Sequence, residues 1–411
     1  MLIEFKVANY LSINEDQTLS MVANTSNELE KHVKVFDKYK LRALRTAAIF
    51  GPNASGKTNT LKAINFMKNF IISSSRNFPD TPTGVVPFKF SSKDKTFSKF
   101  EALFILNDNI MYSYGFQIDE KEIYSEWLYY YPKNYKKMLF QRTKKEGYKF
   151  GSDLKGKNKS ISQMTKNNSL FLSVAATMNE EKAKNIYDFF NNITLFNQID
   201  LLNSAIFIKQ IIEYYKKHDK NKFLDYLNKA DLGITDFQIK SKNLGNEFAT
   251  LLDFFSKNGV EIKSKELDIN NMPIDEVKFI HKYNGISGEF NINEESSGTQ
   301  KLFYLLPFFV DYKGIILIDE FEASMHPHLI SFLLDFYYDI YPETQLIFTS
   351  HNSDLLSTRQ FRRDEIWFTE KEISGNTILF SLNDIKPKPR LNEDIKMRYL
   401  YGQYGAVPNI S

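Results

Sequence analysis

The chain is 411 residues long, 42% apolar and 25% charged, with a formal net charge of +3 and no cysteine. Its length predicts two or three lobes rather than one core, and its composition excludes a disordered, fibrous or disulfide-stapled chain. The small net charge names no partner, and the lack of cysteine excludes thiolate metal sites and fits a reducing compartment.

The opening MLIEFKVANYLSINEDQ lacks a basic-then-apolar leader pattern. No run of about 18 apolar residues reads as a membrane span, so a cytoplasmic protein with no membrane segment is expected. Leu2, Ile3, Phe5 and Val7 alternate with polar residues, as in a strand at a sheet edge. RTAAIFG reads as a short buried strand, and from Thr58 the period changes: Leu61, Ile64, Met67 and Ile71 mark a helix with one apolar stripe. A Ser-, Pro- and Thr-rich loop follows over Ser73–Pro87. KFEALFILND, IMYSYGFQID and IYSEWLYYYP alternate and predict consecutive antiparallel strands with Asn/Asp turns. Residues 160–260 have mostly helical spacing, with Lys and Asn on the outer faces.

The last third changes character. GTQKLFYLLPFFV is helical, GIILIDEFE and TQLIFTSHN are buried strands ending in polar groups, and DEIWFTEKEISGNTILFSLNDI reads as a terminal hairpin turning at ISGNT. Continuous apolar strands alternating with helices predict an α/β fold with a mostly parallel sheet covered on both faces. The expected division is a split lobe from residues 1–72 and 285–411, an antiparallel β subdomain over 73–160 with a basic loop, and a mainly helical insertion over 161–284.

Four short motifs carry the chemistry. Gly51-Pro52-Asn53-Ala54-Ser55-Gly56-Lys57-Thr58, followed by Asn59, matches G-x-x-x-x-G-K-[ST] at every fixed position. A bare strand–helix turn needs no lysine there. A phosphate cradle does, because the glycines let successive N–H groups point inward and the helix dipole adds to their pull. Lys57 would then bridge the β- and γ-phosphates and Thr58 would ligate Mg²⁺. IILIDEFE supplies the acids: Asp319 to hold the metal and Glu320 to accept a proton from the attacking water. His351, at the end of the next apolar strand, is placed where ligands of open α/β sheets bind. Ser297 and Gly298 open a helix, another N-terminus suited to an anion.

In this order the motifs resemble the ABC-type ATPase domain, which implies ATP and Mg²⁺ as ligands. In that family the signature helix of one subunit completes the nucleotide site of another, so Ser297 and Gly298 would reach a partner's γ-phosphate across a dimer. Thr299 stands where transporters usually have a second glycine, a departure common in ABC ATPases outside the transporters. Ala323-Ser324-Met325-His326 occupies the place of the D-loop, while Gln141 and Gln117 both qualify weakly for the Q-loop.

FKVANYLSI, NNSLFLSVAA, LIDEFEASMHPHL, TSHNSDLL, RRDEIWFTEK and YGQYGAVP bring the resemblance closer. They are similar to the AAA-type ATP-binding proteins of bacterial abortive-infection and antiphage systems, of the RloA and AbiL kind, relatives of the OLD and RecF/SMC ATPases. That resemblance implies a homodimer or higher homo-oligomer acting as sensor or scaffold with a separately encoded effector nuclease of the TOPRIM or RloB type. A RecF-like repair or recombination ATPase that binds DNA directly is the alternative, and the 73–284 insertion and split motifs argue against a transporter ATPase. Residues 133–159 hold ten Lys/Arg against two acids, with Tyr135, Phe140, Tyr148 and Phe150 interleaved. They read either as a grip on nucleic acid or as a solvated hairpin and loop.

Overall fold

A computed structural model describes residues 1–90, 97–197, 205–243, 273–340, 343–357, 360–389 and 393–407. The chain divides into two units: Met1–Gln198 with Asp311–Glu322 and Leu333–Ser411, and Ile199–Val310 with Ala323–Phe332.

The first unit contains two large sheets. Strands β1 (Leu2–Ala8), β2 (Gln17–Ser20), β6 (Ser98–Ile105), β7 (Met111–Ile118), β8 (Ile123–Tyr131), β9 (Lys137–Thr143) and β10 (Gly147–Phe150) form a seven-stranded sheet in the order β10-β9-β8-β7-β6-β1-β2. Its pairs are antiparallel, as with Phe5 opposite Ala102 and Phe100 opposite Phe116. Alternation buries one face of β1 and of β6. A smaller ribbon pairs β3 (Val33–Phe36) with β4 (Leu41–Leu44).

The second sheet runs β11-β15-β16-β5-β17-β18, from β5 (Thr46–Phe50), β11 (Ile193–Phe196), β15 (Ile315–Ile318), β16 (Gln345–Thr349), β17 (Ile366–Lys371) and β18 (Thr377–Ser381). All its pairs are parallel except the β17–β18 hairpin. Every residue of β5, β15 and β16 is buried, the mark of strands covered on both faces. Helix α1 (Lys57–Ser73) buries Leu61, Ile64, Met67 and Ile71, the stripe seen in the sequence. Its Phe66 and Phe70 rings pack on Phe100 and Phe116 of the antiparallel sheet. Helices α2 (Asn158–Met164), α3 (Phe171–Thr177) and α4 (Glu181–Asn191) follow.

In the second unit, α5 (Ala205–Lys217) and α6 (Lys220–Lys229) lead to a three-stranded sheet of β12 (Ile234–Asn243), β13 (Pro273–Tyr283) and β14 (Ile286–Asn291). Most of α7 (Ser297–Asp311) also belongs there, and its Phe303 ring stacks on Tyr215 at 4.3 Å and meets Phe279 edge-on. Helix α8 (Pro327–Ile340) begins in this unit and ends in the first, and α9 (Ile395–Leu400) is the last element among the described residues.

Two differences from the sequence reading stand out. Residues 161–284, read as mainly helical, contain β11, β12 and β13, while 198–204 and 244–272 of that stretch lie outside the described residues. Four residues of β11 are too few to show a period. They are a strand because Ile193 and Leu195 pair with Ile315 and Leu317, far along the chain. β1, read as part of the 1–72 lobe, pairs instead with β6 in the antiparallel sheet.

Candidate active site

The loop after β5 is shaped by what lies under it. Gly51 (φ 151) and Gly56 (φ 113) adopt backbone angles that side chains rarely permit. A Cβ on Gly51 would lie 2.5 Å from Thr369 O, and one on Gly56 would overlap the Thr377 side chain. The loop is pinned from the same two strands: Ser55 Oγ bonds Thr369 Oγ1 at 2.6 Å, and Thr377 Oγ1 donates to Ser55 O at 2.8 Å. Thr377 Oγ1 also meets Ser12 Oγ at 2.8 Å, which accepts from Asn59 Nδ2 at 2.7 Å. Asn53 and Ala54 are exposed at the loop's crest, and Lys371 Nζ donates to Ala54 O at 3.2 Å. Gly56 caps α1 with no side-chain bond. The first-turn amides of α1 thus have no side-chain acceptor at the cap, which is what an anion-binding helix start requires.

Three neighbouring parallel strands, β5, β16 and β15, deliver the remaining groups at their carboxyl ends. Lys57 Nζ donates to Gly51 O at 2.7 Å, Pro52 O at 2.9 Å and His351 Nδ1 at 3.3 Å. With Lys57 donating, His351 is the neutral acceptor and carries its ring proton on Nε2, 4.0 Å from Glu320 Oε1. Thr58 Oγ1 donates to Asp319 Oδ1 at 3.0 Å, and Thr349 Oγ1 donates to the same oxygen at 2.6 Å. Lys57, Thr58, Asp319, Glu320 and His351 are therefore brought together.

Burial governs the charges here. Lys57 is 4% exposed, and burial lowers its pKa to about 8 against the opposing pull of Glu322, Asp319 and Glu320. Burial, then the Lys57 charge, also lowers the pKa of His351 below its usual value. A polyanion arriving here would meet a desolvated ammonium with few competing waters. The Thr58 hydroxyl beside the Asp319 carboxylate is a hard-oxygen pair suited to Mg²⁺, which takes one or two protein oxygens and leaves its other positions to phosphates and water.

Ser297 and Gly298 belong to the second unit. There Ser296, not Ser297, caps α7: its Oγ accepts from Thr299 N at 3.1 Å. Ser297 is exposed, and Gly298 is buried, with a Cβ position 2.5 Å from Ser324 O. Lys301 Nζ donates to Ala323 O at 3.2 Å, so α7 meets the segment 323–326.

Sequence reasoning missed Glu322, Thr349, Thr369 and Thr377. Only Glu322 carried a signal, as the third acid of DEFE. Gln117 and Gln141 accept from Ser125 Oγ and Tyr129 OH within the antiparallel sheet. NNSLFLSVAA is explained by packing. Asn168 Nδ2 donates to the Phe78 and Thr81 carbonyls, while buried Glu126 accepts from Phe171 N and Leu172 N at the start of α3. Three of the four aromatics of the basic stretch, Phe140, Tyr148 and Phe150, pack on the buried Phe171, while Tyr135 is 49% exposed. Arg142, Lys137, Lys144 and Lys149 are paired with Glu126, Asp153, Glu122 and Glu146.

The family described as "AAA domain, putative AbiEii toxin, Type IV TA system" matches residues 47–357, from the glycine-loop strand to beyond His351. The chain belongs to that family. Membership in this AAA family makes it a P-loop protein of the ATPase class. No curated protein matches it in sequence. Among solved structures it is similar to an SMC head bound to the C-winged helix domain of ScpA, at 13% identity and TM-score 0.45 over 92% of this chain and 97% of that one. It is also similar to the Thermotoga maritima SMC head domain, at 13% identity and TM-score 0.40 over 92% and 98%. A Pyrococcus furiosus SMC head with an extended coiled coil gives 13% and 0.42 over 98% and 99%. Among the described residues no helix is long and apolar enough to cross a membrane.

Proposed function

We propose that the chain is a Mg²⁺-dependent ATP hydrolase that closes into a homodimer or higher homo-oligomer around ATP. It acts in the cytoplasm as sensor and scaffold of a bacterial antiphage, abortive-infection system, close to the RloA and AbiL kind, and controls a separately encoded effector nuclease of the TOPRIM or RloB type. The observation that carries the ATPase reading is the meeting of Lys57, Thr58, Asp319, Glu320 and His351 at the ends of three adjacent parallel strands. The defence reading is supported by the family description, which names an AbiEii toxin, together with the motif resemblance.

The backbone of Gly51–Asn59 and the start of α1 bind the phosphates, and Lys57 turns from the Gly51 and Pro52 carbonyls to the β- and γ-phosphates. Thr58 and Asp319 would hold Mg²⁺, which neutralises phosphate charge when bound. Glu320 takes the proton of the attacking water, and neutral His351 hydrogen-bonds the γ-phosphate. Ser297 and Gly298 serve the site of a partner copy. Direct DNA binding of the RecF kind has less support, because three of the four aromatics of the basic stretch pack on Phe171.

Titration calorimetry with Mg²⁺-ATP tests the reading. Lys57→Ala should weaken binding at least about 100-fold, the loss of a buried charge-assisted phosphate contact. Unchanged affinity in that variant contradicts the phosphate cradle.

A further inference from the structure

The turn that carries Asp319 and Glu320 presents a third carboxylate, Glu322, that the chemistry above does not use. The path to it is tightly specified. Glu320 is left-handed (φ 50), a conformation unfavourable for a residue with a side chain, and its N–H donates to Thr349 Oγ1 at 2.8 Å. Phe321 N donates to Thr349 O at 3.0 Å, and its buried ring packs 5.0 Å from Phe348. With Phe321 anchored inward, the chain returns Glu322 across the end of β16. There Oε1 accepts the N–H of His351, and also that of Asn352 at 3.2 Å, which Asn352 shares with Ser350 Oγ at 3.0 Å. The other oxygen, Oε2, is buried without a hydrogen-bond partner among the described residues. Among the carboxylates near Lys57 and His351, Glu322 acts on both more strongly than Asp319 or Glu320.

We propose that Glu322 is a positioning residue for the hydrolysis. Its carboxylate clamps the backbone of His351 and Asn352, holds the imidazole beside Lys57 Nζ, and so ties the acid-bearing turn to the histidine strand. The inference rests on the ATPase reading and adds to it a residue that touches neither nucleotide nor water. The clamp depends on an accepting oxygen at full reach, not on net charge. Glutamine keeps the reach and loses the charge, whereas aspartate keeps the charge and falls one carbon short.

The test is the kcat and ATP KM of Glu322→Gln, Glu322→Asp, His351→Ala and the two double variants, with thermal unfolding measured beside each. The clamp predicts that Glu322→Asp lowers kcat about tenfold or more, since displacement by an ångström at a catalytic centre costs up to about a hundredfold. Glu322→Gln should lose severalfold less. KM should not rise in Glu322→Gln, because a carboxylate beside a polyanion site has been removed. In the His351→Ala background the aspartate variant should add little further loss, as expected of residues acting as one unit. Glutamine more damaging than aspartate, both variants at the parental rate, or effects that multiply with His351→Ala would overturn the clamp. A parental protein with no turnover contradicts instead the ATPase reading on which it rests.

Discussion

The largely parallel sheet carries a polar cluster at each end of its strands, and both clusters contain histidine, glutamate, threonine and a buried cation. At the amino ends of β5 and β17, His32 Nδ1 meets Glu365 Oε2 at 2.9 Å and its ring stacks on Tyr338 at 3.4 Å. Tyr338 OH donates to Thr46 Oγ1, and Arg45 donates to the Tyr337 and Tyr338 carbonyls. Arg362 pairs with Asp364 at 2.9 Å and reaches the Ser26 carbonyl. His32 and Glu365 have side chains 2% and 0% exposed, whereas His351 and Glu320 at the carboxyl end are 36% and 46% exposed and 4.0 Å apart. The tighter histidine–glutamate pair is therefore the sealed one. Proximity of titratable groups alone would select the amino end. A left-handed Glu320, a helix start without a side-chain cap and a half-open histidine mark the carboxyl end as the candidate site. A buried network with its partners in place specifies structure, whereas an accessible one leaves capacity for a ligand.

Substitutions at the two ends should fail in different ways. The largest effect is expected for Glu320→Gln, which keeps size and removes the base. Turnover should fall about 10²–10⁴-fold with ATP still bound, measured by phosphate release beside calorimetry. A parental rate would assign the base elsewhere. At the sealed end, Arg362→Ala leaves Asp364 buried and unpaired and should lower stability by about 3–5 kcal/mol, read from urea unfolding, while the folded fraction binds ATP as before. Loss of ATP affinity without loss of stability would erase the contrast between the ends.

Acid separates them further. Burial drives the His32 pKa to about 3 from the usual 6.5. A base depressed in the folded state contributes stability that is present above pH 6.5 and is lost as pH falls towards 3. In that window His32→Gln should flatten the acid limb by at most one proton's worth, about 1.4 kcal/mol per pH unit. An unchanged limb means that His32 is protonated in the folded protein. The smallest effect has the opposite sign: Lys57→Met removes a buried ammonium, so the nucleotide-free protein should gain about 1 kcal/mol, or about 1 °C in unfolding midpoint, as it loses ATP. A drop in the midpoint would make Lys57 a structural residue.

Much of the carboxyl-end site was legible in the sequence because each part is local. Glycines before a 3.6-period stripe, and acids or a histidine after short apolar runs, need no knowledge of distant neighbours. What was missed is what distant pairing decides. Thr369 and Thr377 are ordinary strand residues until β17 lies beside β5 and its hairpin partner β18 beside β17, which sets them under Gly51 and Gly56. The membership of β11 depends on β15, and that of β1 on β6. The basic stretch left two readings open for a related reason: alternating aromatics and lysines describe a strand with one wet face, and only the fold shows that Phe171 packs on the other.

The central claim, an ATP site completed by a second copy, is tested most directly by mixing two inactive proteins. A side chain at Gly298 would strike Ser324 O at 2.5 Å, so the signature is better blocked at the exposed Ser297. Ser297→Arg and Lys57→Ala proteins should each be inactive alone. In a mixed dimer one site takes its glycine loop from the first and its signature from the second. Equal mixing should restore up to about a quarter of parental turnover, since half the dimers are mixed and each has one intact site of two. Mixed dimers that form, by native mass spectrometry, and yet recover no ATPase activity would contradict the account.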